Sequence, residues 1–100
     1  MRIIANSTLT KFARRHPETR ASLNAWLTIA RDAQWTSMSD VQDAFPKSKV
    51  LNGERARFEV AGGNYRLVVA IKFRSRLCFI KFIGTHAEYD RIDALTVAQY

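Results

Sequence analysis

The sequence predicts an α+β fold in which helices come first and an antiparallel meander follows. Three observations carry this. Apolar residues recur at helical spacing in the first half, and from Arg55 they alternate with charged residues. A Gly62-Gly63 pair then joins two such strand-like runs. At 100 residues, 47% of them hydrophobic and 25% charged, the chain can bury a core without disulfides or metal. A single domain over residues 1–100 is expected, with about 96–100 as a tail.

Met1–Ala5 is a strand candidate. Asn6 or Ser7 is expected to cap a helix over Thr8–His16, with Leu9, Phe12 and Ala13 on one face. Pro17 cannot continue that helix but can open the next, which runs to about Ala33. Its expected apolar stripe is Ala25, Trp26, Ile29, Ala30 and Ala33. Ser39-Asp40-Val41-Gln42 has the form of a capping box for a short helix that Pro46 ends. Arg55–Ala61 is a half-buried strand, Asn64–Phe73 a central one and Leu77–Gly84 a third. Thr85 with Glu88 is a second capping box, so a final helix begins at His86. The N-terminal strand completes the sheet edge. One sheet face packs on the helices and the other is left for function or a partner.

The two-glycine turn fixes the hairpin register, pairing Glu59 with Arg66 and Arg57 with Val68. Arg55, Arg57, Glu59, Asn64 and Arg66 then share one face, and Lys72 joins them by period-two spacing. Ala56, Phe58, Val60, Tyr65, Leu67, Val69 and Ile71 form the opposite, core face. Lys81 depends on the turn at Arg74–Arg76. A three-residue loop keeps it in phase with Phe79 and Ile83 on the core side, and a two-residue turn places it with Arg66. An ordinary solvent face with a Glu59–Arg66 ion pair is the plain alternative to a site.

The net charge is +7, and residues 47–81 alone carry +7, against +2 before them and −2 after. That field suits a polyanion such as nucleic acid, or an acidic protein. The lone Cys78 lies in an apolar run, so it implies no disulfide framework, suits a reducing cytoplasm and makes a poor nucleophile. No signal peptide or membrane span is visible. No Gly-rich phosphate loop, catalytic triad or metal-ligand spacing occurs, so the reading requires no cofactor and no metal. His86, Tyr89 and Asp90 can share one helix face, and exposed N–H groups at that helix start suit a phosphate. Cleavage of RNA through its own 2′-hydroxyl needs a base, cations around the charged transition state, and an acid for the leaving oxygen. This set can supply all three.

GGNYRLVVAIKF followed by FIKFIGTHAEYD resembles the HigB family of type II toxin–antitoxin toxins, within the RelE-like superfamily. The resemblance also covers element order and size. It implies a RelE-like fold and a ribosome-dependent mRNA endoribonuclease. It further implies a co-encoded HigA-like helix-turn-helix antitoxin, in a higher-order complex able to bind operator DNA through that antitoxin. Carried onto this chain, it supports Asn64 and Arg66 from GNYR, and His86, Tyr89 and Asp90 from THAEYD. Arg55 and Arg57 match more loosely, Lys81 lies in the strand leading to THAEYD, and Lys72 rests on strand spacing alone. Arg66, His86 and Tyr89 are the expected catalytic group. Arg55, Arg57, Asn64, Lys72 and Lys81 are the expected RNA and phosphate ligands, with Asp90 orienting. The competing readings are a basic module that binds RNA or the ribosome without cutting, and an antitoxin-bound regulator.

Overall fold

The computed structural model describes Met1–Tyr100. Its strands are β1 (Arg2–Ile4), β2 (Lys49–Val50), β3 (Arg55–Val60), β4 (Tyr65–Lys72) and β5 (Leu77–Thr85). Its helices are α1 (Asn6–Arg15), α2 (Arg20–Asp32), α3 (Met38–Ala44) and the single turn α4 (His86–Tyr89). The strands form one sheet in the order β1-β5-β4-β3-β2, with β1 parallel to β5 and the other pairs antiparallel. This is the α+β arrangement expected, with the N-terminal strand at the sheet edge. No helix is long and apolar enough to cross a membrane.

The helical half differs from expectation in its details. Ala5, not Asn6 or Ser7, precedes the first turn of α1, and its φ of 69° reverses the chain within one residue. The strand thus abuts the helix with no space for a side-chain cap. Pro17 opens a 3₁₀ turn, Pro17–Thr19, that leads into α2. The buried stripe of α2 is Leu23, Trp26, Leu27 and Ala30, while Ala25 is exposed and Ile29 is 43% exposed. Two apolar stripes cross at Trp26 and Ala30, and the one with two leucines buries more apolar surface. The capping box expected at Ser39 does not form. Asp40 instead reaches back to the backbone N–H and hydroxyl of Thr36, at 2.9 and 3.0 Å, and α3 starts at Met38.

The sheet follows the sequence closely. Glu59 pairs with Arg66, Arg57 with Val68 and Arg55 with Ala70. Odd-numbered Leu67, Val69 and Ile71 of β4 face Leu9, Phe12, Leu23 and Trp26 in the main core, together with Ala56, Phe58, Cys78, Ile80 and Ile83. Gly62 and Gly63 take φ of 68° and 92°, which only glycine adopts without strain.

The far face is not left open. After α4 the chain turns back across the sheet. The guanidinium of Arg55 donates from Nη1 to the carbonyls of Ala94 and Val97, at 3.1 and 2.8 Å. Gln99 then pairs with β5, its N–H to Lys81 O at 2.9 Å and its side-chain carbonyl accepting from Ile83 N at 3.1 Å. These last residues lie beside β5 beyond the end of β1 and use backbone groups that β1 is too short to reach. Val68 and Phe82, 0% and 4% exposed, form a small second core on this face. The segment read from sequence as a tail is a strap. No local periodicity marks it, because its anchors lie on strands far away in sequence.

Candidate functional site

Register sorts the expected residues into rows across the strap face. Glu59, Arg66 and Gly84 form the row nearest the glycine turn. Arg57, Val68 and Phe82 form the next, followed by Arg55, Ala70 and Phe79, and last Lys72 with Leu77. At two residues per row, the first and third rows are about 13 Å apart. The residues expected to form one constellation therefore form two groups on one face.

The group at the hairpin end centres on Arg66, whose side chain is 9% exposed. Its Nη1 donates to the carbonyls of Gly63 and Tyr65, and Nη2 lies 4.0 Å from Glu59 Oε1. A Cβ on Gly63 would sit 3.4 Å from that Nη1, so the glycine also lets the guanidinium lie close over the turn. The Nε–H groups of both Arg66 and Arg57 are buried without a partner. Buried donors left unpaired are costly; Trp26 Nε1 and Ser48 Oγ are unpaired elsewhere in the fold, and the two arginine donors are the pair that shares one face on neighbouring rows.

Beside this row the sequence delivers α4 as expected. Thr85 and Glu88 form the reciprocal capping box, at 3.1 and 2.8 Å. The Glu88 carboxyl is held below its ordinary range, first by the Thr85 backbone N–H. His86 donates its backbone N–H to Asn64 O at 3.0 Å, which ties α4 to the hairpin. Its Nδ1 is 3.1 Å from Asp90 Oδ2, and both side chains are exposed. Tyr89 turns inward, its ring 6.3 Å from that of Phe82. At this helix start the amides of Thr85, His86 and Glu88 are engaged in capping and with Asn64, which leaves fewer donors for a phosphate than expected.

The second group lies at the opposite end. Four residues, Phe73 to Arg76, separate the paired Lys72 and Leu77, so Phe79 faces the strap side and not the core as expected. The register then slips between Val68 and Val69, leaving Lys81 as the extra residue of a bulge. Its ammonium lies 5.5 Å from the centre of the Phe79 ring, and that of Lys72 lies 5.8 Å from it. Lys81 thus belongs to the strap face. Arg55 also lines this region, but its Nη1 is engaged by the strap.

A third cluster had no sequence signal. His16 stacks on Phe12, and its Nδ1 lies 3.3 Å from the Tyr65 hydroxyl, which donates to Glu18. The contacts span α1, the 3₁₀ turn and β4, so local spacing could not reveal them.

A family model described as HigB toxin, the RelE-like toxic component of a toxin–antitoxin system, matches residues 19–92. The chain is also 26% identical over 94 residues to the mRNA interferase HigB of Escherichia coli O6:H1. That match covers 92% of this chain and 91% of the relative.

Proposed function

The chain belongs to the HigB family of RelE-like toxins of toxin–antitoxin systems, and from that premise we propose that it is an mRNA interferase. In this reading it cuts mRNA on the ribosome, without a metal, and so halts translation. The observation that carries the reading is the pair of buried, unpartnered Nε–H donors on Arg57 and Arg66, with the exposed His86–Asp90 pair and Tyr89 on the short helix that follows β5, the strand whose Gly84 pairs with Arg66.

The scissile phosphate is bound by Arg66, whose long contact to Glu59 exchanges readily, with Arg57 behind it. A base takes the proton of the 2′-hydroxyl and the oxygen attacks phosphorus. Negative charge grows on the phosphoryl oxygens where the guanidiniums stand, and the 5′-oxygen leaves with a proton from the acid. The products are a 2′,3′-cyclic phosphate and a 5′-hydroxyl. His86 and Tyr89 share the acid–base and base-stacking duties, Asp90 orients His86 through Nδ1, and Asn64 orients the RNA or the hairpin. Lys72, Lys81 and Arg55 hold phosphates further along the strand. The partner that neutralises the chain is a HigA-like helix-turn-helix antitoxin, and their higher-order complex binds operator DNA through the antitoxin.

Inducing the chain in cells and mapping new mRNA 5′ ends on ribosomes tests this. Arg66→Ala, or His86→Ala with Tyr89→Ala, is expected to relieve growth arrest and remove the new ends. Full toxicity of both variants would mean the site is misplaced, and growth arrest with intact transcripts would favour a module that binds without cutting.

A further inference from the structure

We infer that Phe79, bracketed by Lys72 and Lys81, is a stacking subsite for one base of the RNA strand, distant from the cut. The inference rests on the function proposed above and adds to it a place where a base is held.

Phe79 is paired with Ala70, whose small side chain leaves a cavity of about 280 Å³ over the sheet. Glu54, Arg55, Lys72 and Lys81 supply its polar walls, and Phe79 lies beside them, half-buried. The ring is partly open to solvent, and two ammonium groups lie over it, at 5.5 and 5.8 Å from its centre. Those contacts exchange easily, because both lysines are flexible and hydrated.

The chemistry that best replaces them is a flat aromatic base flanked by phosphates. The base stacks on the ring, and the two ammoniums, lying on either side of it along the strands, swing to the phosphates before and after. An acidic peptide would use the three cations but has no need of the ring. Part of the wall is fixed in advance. Arg55 is held by the carbonyls of Ala94 and Val97, and the Lys81 backbone is held by Gln99. Pre-organised walls reduce the entropy lost on binding.

The Phe79 row stands about 13 Å from the Arg66 row, at the ordinary rise of a strand. That equals roughly four nucleotides of a stacked strand and fewer of an extended one. The subsite therefore reads a base near the cleaved bond but not at it. Stacking is tolerant of base identity, so the subsite favours an unpaired nucleotide over any one sequence.

The test uses the full chain with ribosomes carrying short mRNAs that are 2′-deoxy at the cut, so that binding is read without cleavage. In each mRNA one nucleotide is made abasic. Phe79→Leu, which keeps apolar bulk, is expected to weaken binding about tenfold, and Phe79→Trp to restore it. One abasic position, a few nucleotides from the cut, should weaken wild-type binding by the same factor and leave Phe79→Leu unaffected, since both remove one contact. The inference is overturned if the abasic scan has the same profile in wild type and Phe79→Leu. It is also overturned if Phe79→Leu keeps full RNA affinity but loses affinity for the antitoxin, which would assign the surface to a protein partner. Cleavage of 2′-hydroxyl mRNA by wild type and Arg66→Ala is measured separately. Failure there removes the catalytic reading while a positive scan still locates the bound base.

Discussion

Replacing Gly84 by alanine presses on the two elements that hold the hairpin-end group in place. A Cβ built there lies 2.7 Å from Cζ and 3.3 Å from Cε1 of Phe82, and 3.1 Å from Glu88 Oε1. The Glu88 carboxylate can move by a few tenths of an ångström, at the expense of its bond to Thr85 N. The Phe82 ring is 4% exposed and lies beside the Tyr89 ring, so it has little freedom to move aside. Overpacking of this kind costs about 1–3 kcal/mol. For a domain of this size each kcal/mol lowers Tm by about 4–8 °C, so a fall of roughly 5–20 °C is expected in a thermal melt followed by circular dichroism. Gly53→Ala is the control. No atom lies within 4 Å of its added carbon, so its change should stay within about 0.5 kcal/mol. Because Phe82 and Glu88 underlie Tyr89 and the α4 cap, Gly84→Ala should also weaken growth arrest at temperatures where it remains folded. If it melts with wild type, the packing of Phe82 beneath α4 is not as described.

Two further outcomes follow from titratable groups. Cys78 is fully buried in the main core, and burial pushes its thiol up to about 12, so the native chain should resist alkylation near neutral pH and react only once unfolded. Glu18 is held below its ordinary 4.5, first by the hydrogen bond from Tyr65. A depressed carboxyl contributes stability above its unfolded pKa, and loses it as pH falls from 4.5 through the folded value. Tyr65→Phe should therefore lower the urea midpoint at neutral pH, with the gap to wild type closing in acid; parallel curves down to the acid limit would contradict the linkage.

What could be read from the sequence was set by local chemistry. The glycine pair fixed the β3–β4 register because its φ values admit few alternatives, and parity then separated the arginine face from the core. The THAE cap was legible because both halves of the box lie within four residues. The α2 stripe is ambiguous in the sequence because two apolar stripes share Trp26 and Ala30, and only the packed core distinguishes them. Lys81 depended on a bulge, which adds one residue without any composition signal. The strap was invisible for a different reason. Arg55 meets Ala94 and Val97, and Gln99 meets Lys81, through backbone carbonyls that any residue could present. The sequence therefore located the cations and the His–Tyr pair but not the division of their face into two groups.

The central claim is that the hairpin-end group cuts RNA through its own 2′-hydroxyl with Arg66 stabilising the transition state. The most direct measurement is the chemistry of the new ends on ribosome-bound mRNA treated with purified chain in the presence of a chelator. A 2′,3′-cyclic phosphate is expected on the upstream fragment and a 5′-hydroxyl on the downstream one. The rate for Arg66→Ala should be lower by a factor of about 10²–10³, the usual loss when one transition-state donor is removed. A 3′-hydroxyl with a 5′-phosphate, or an undiminished rate for Arg66→Ala, would contradict it.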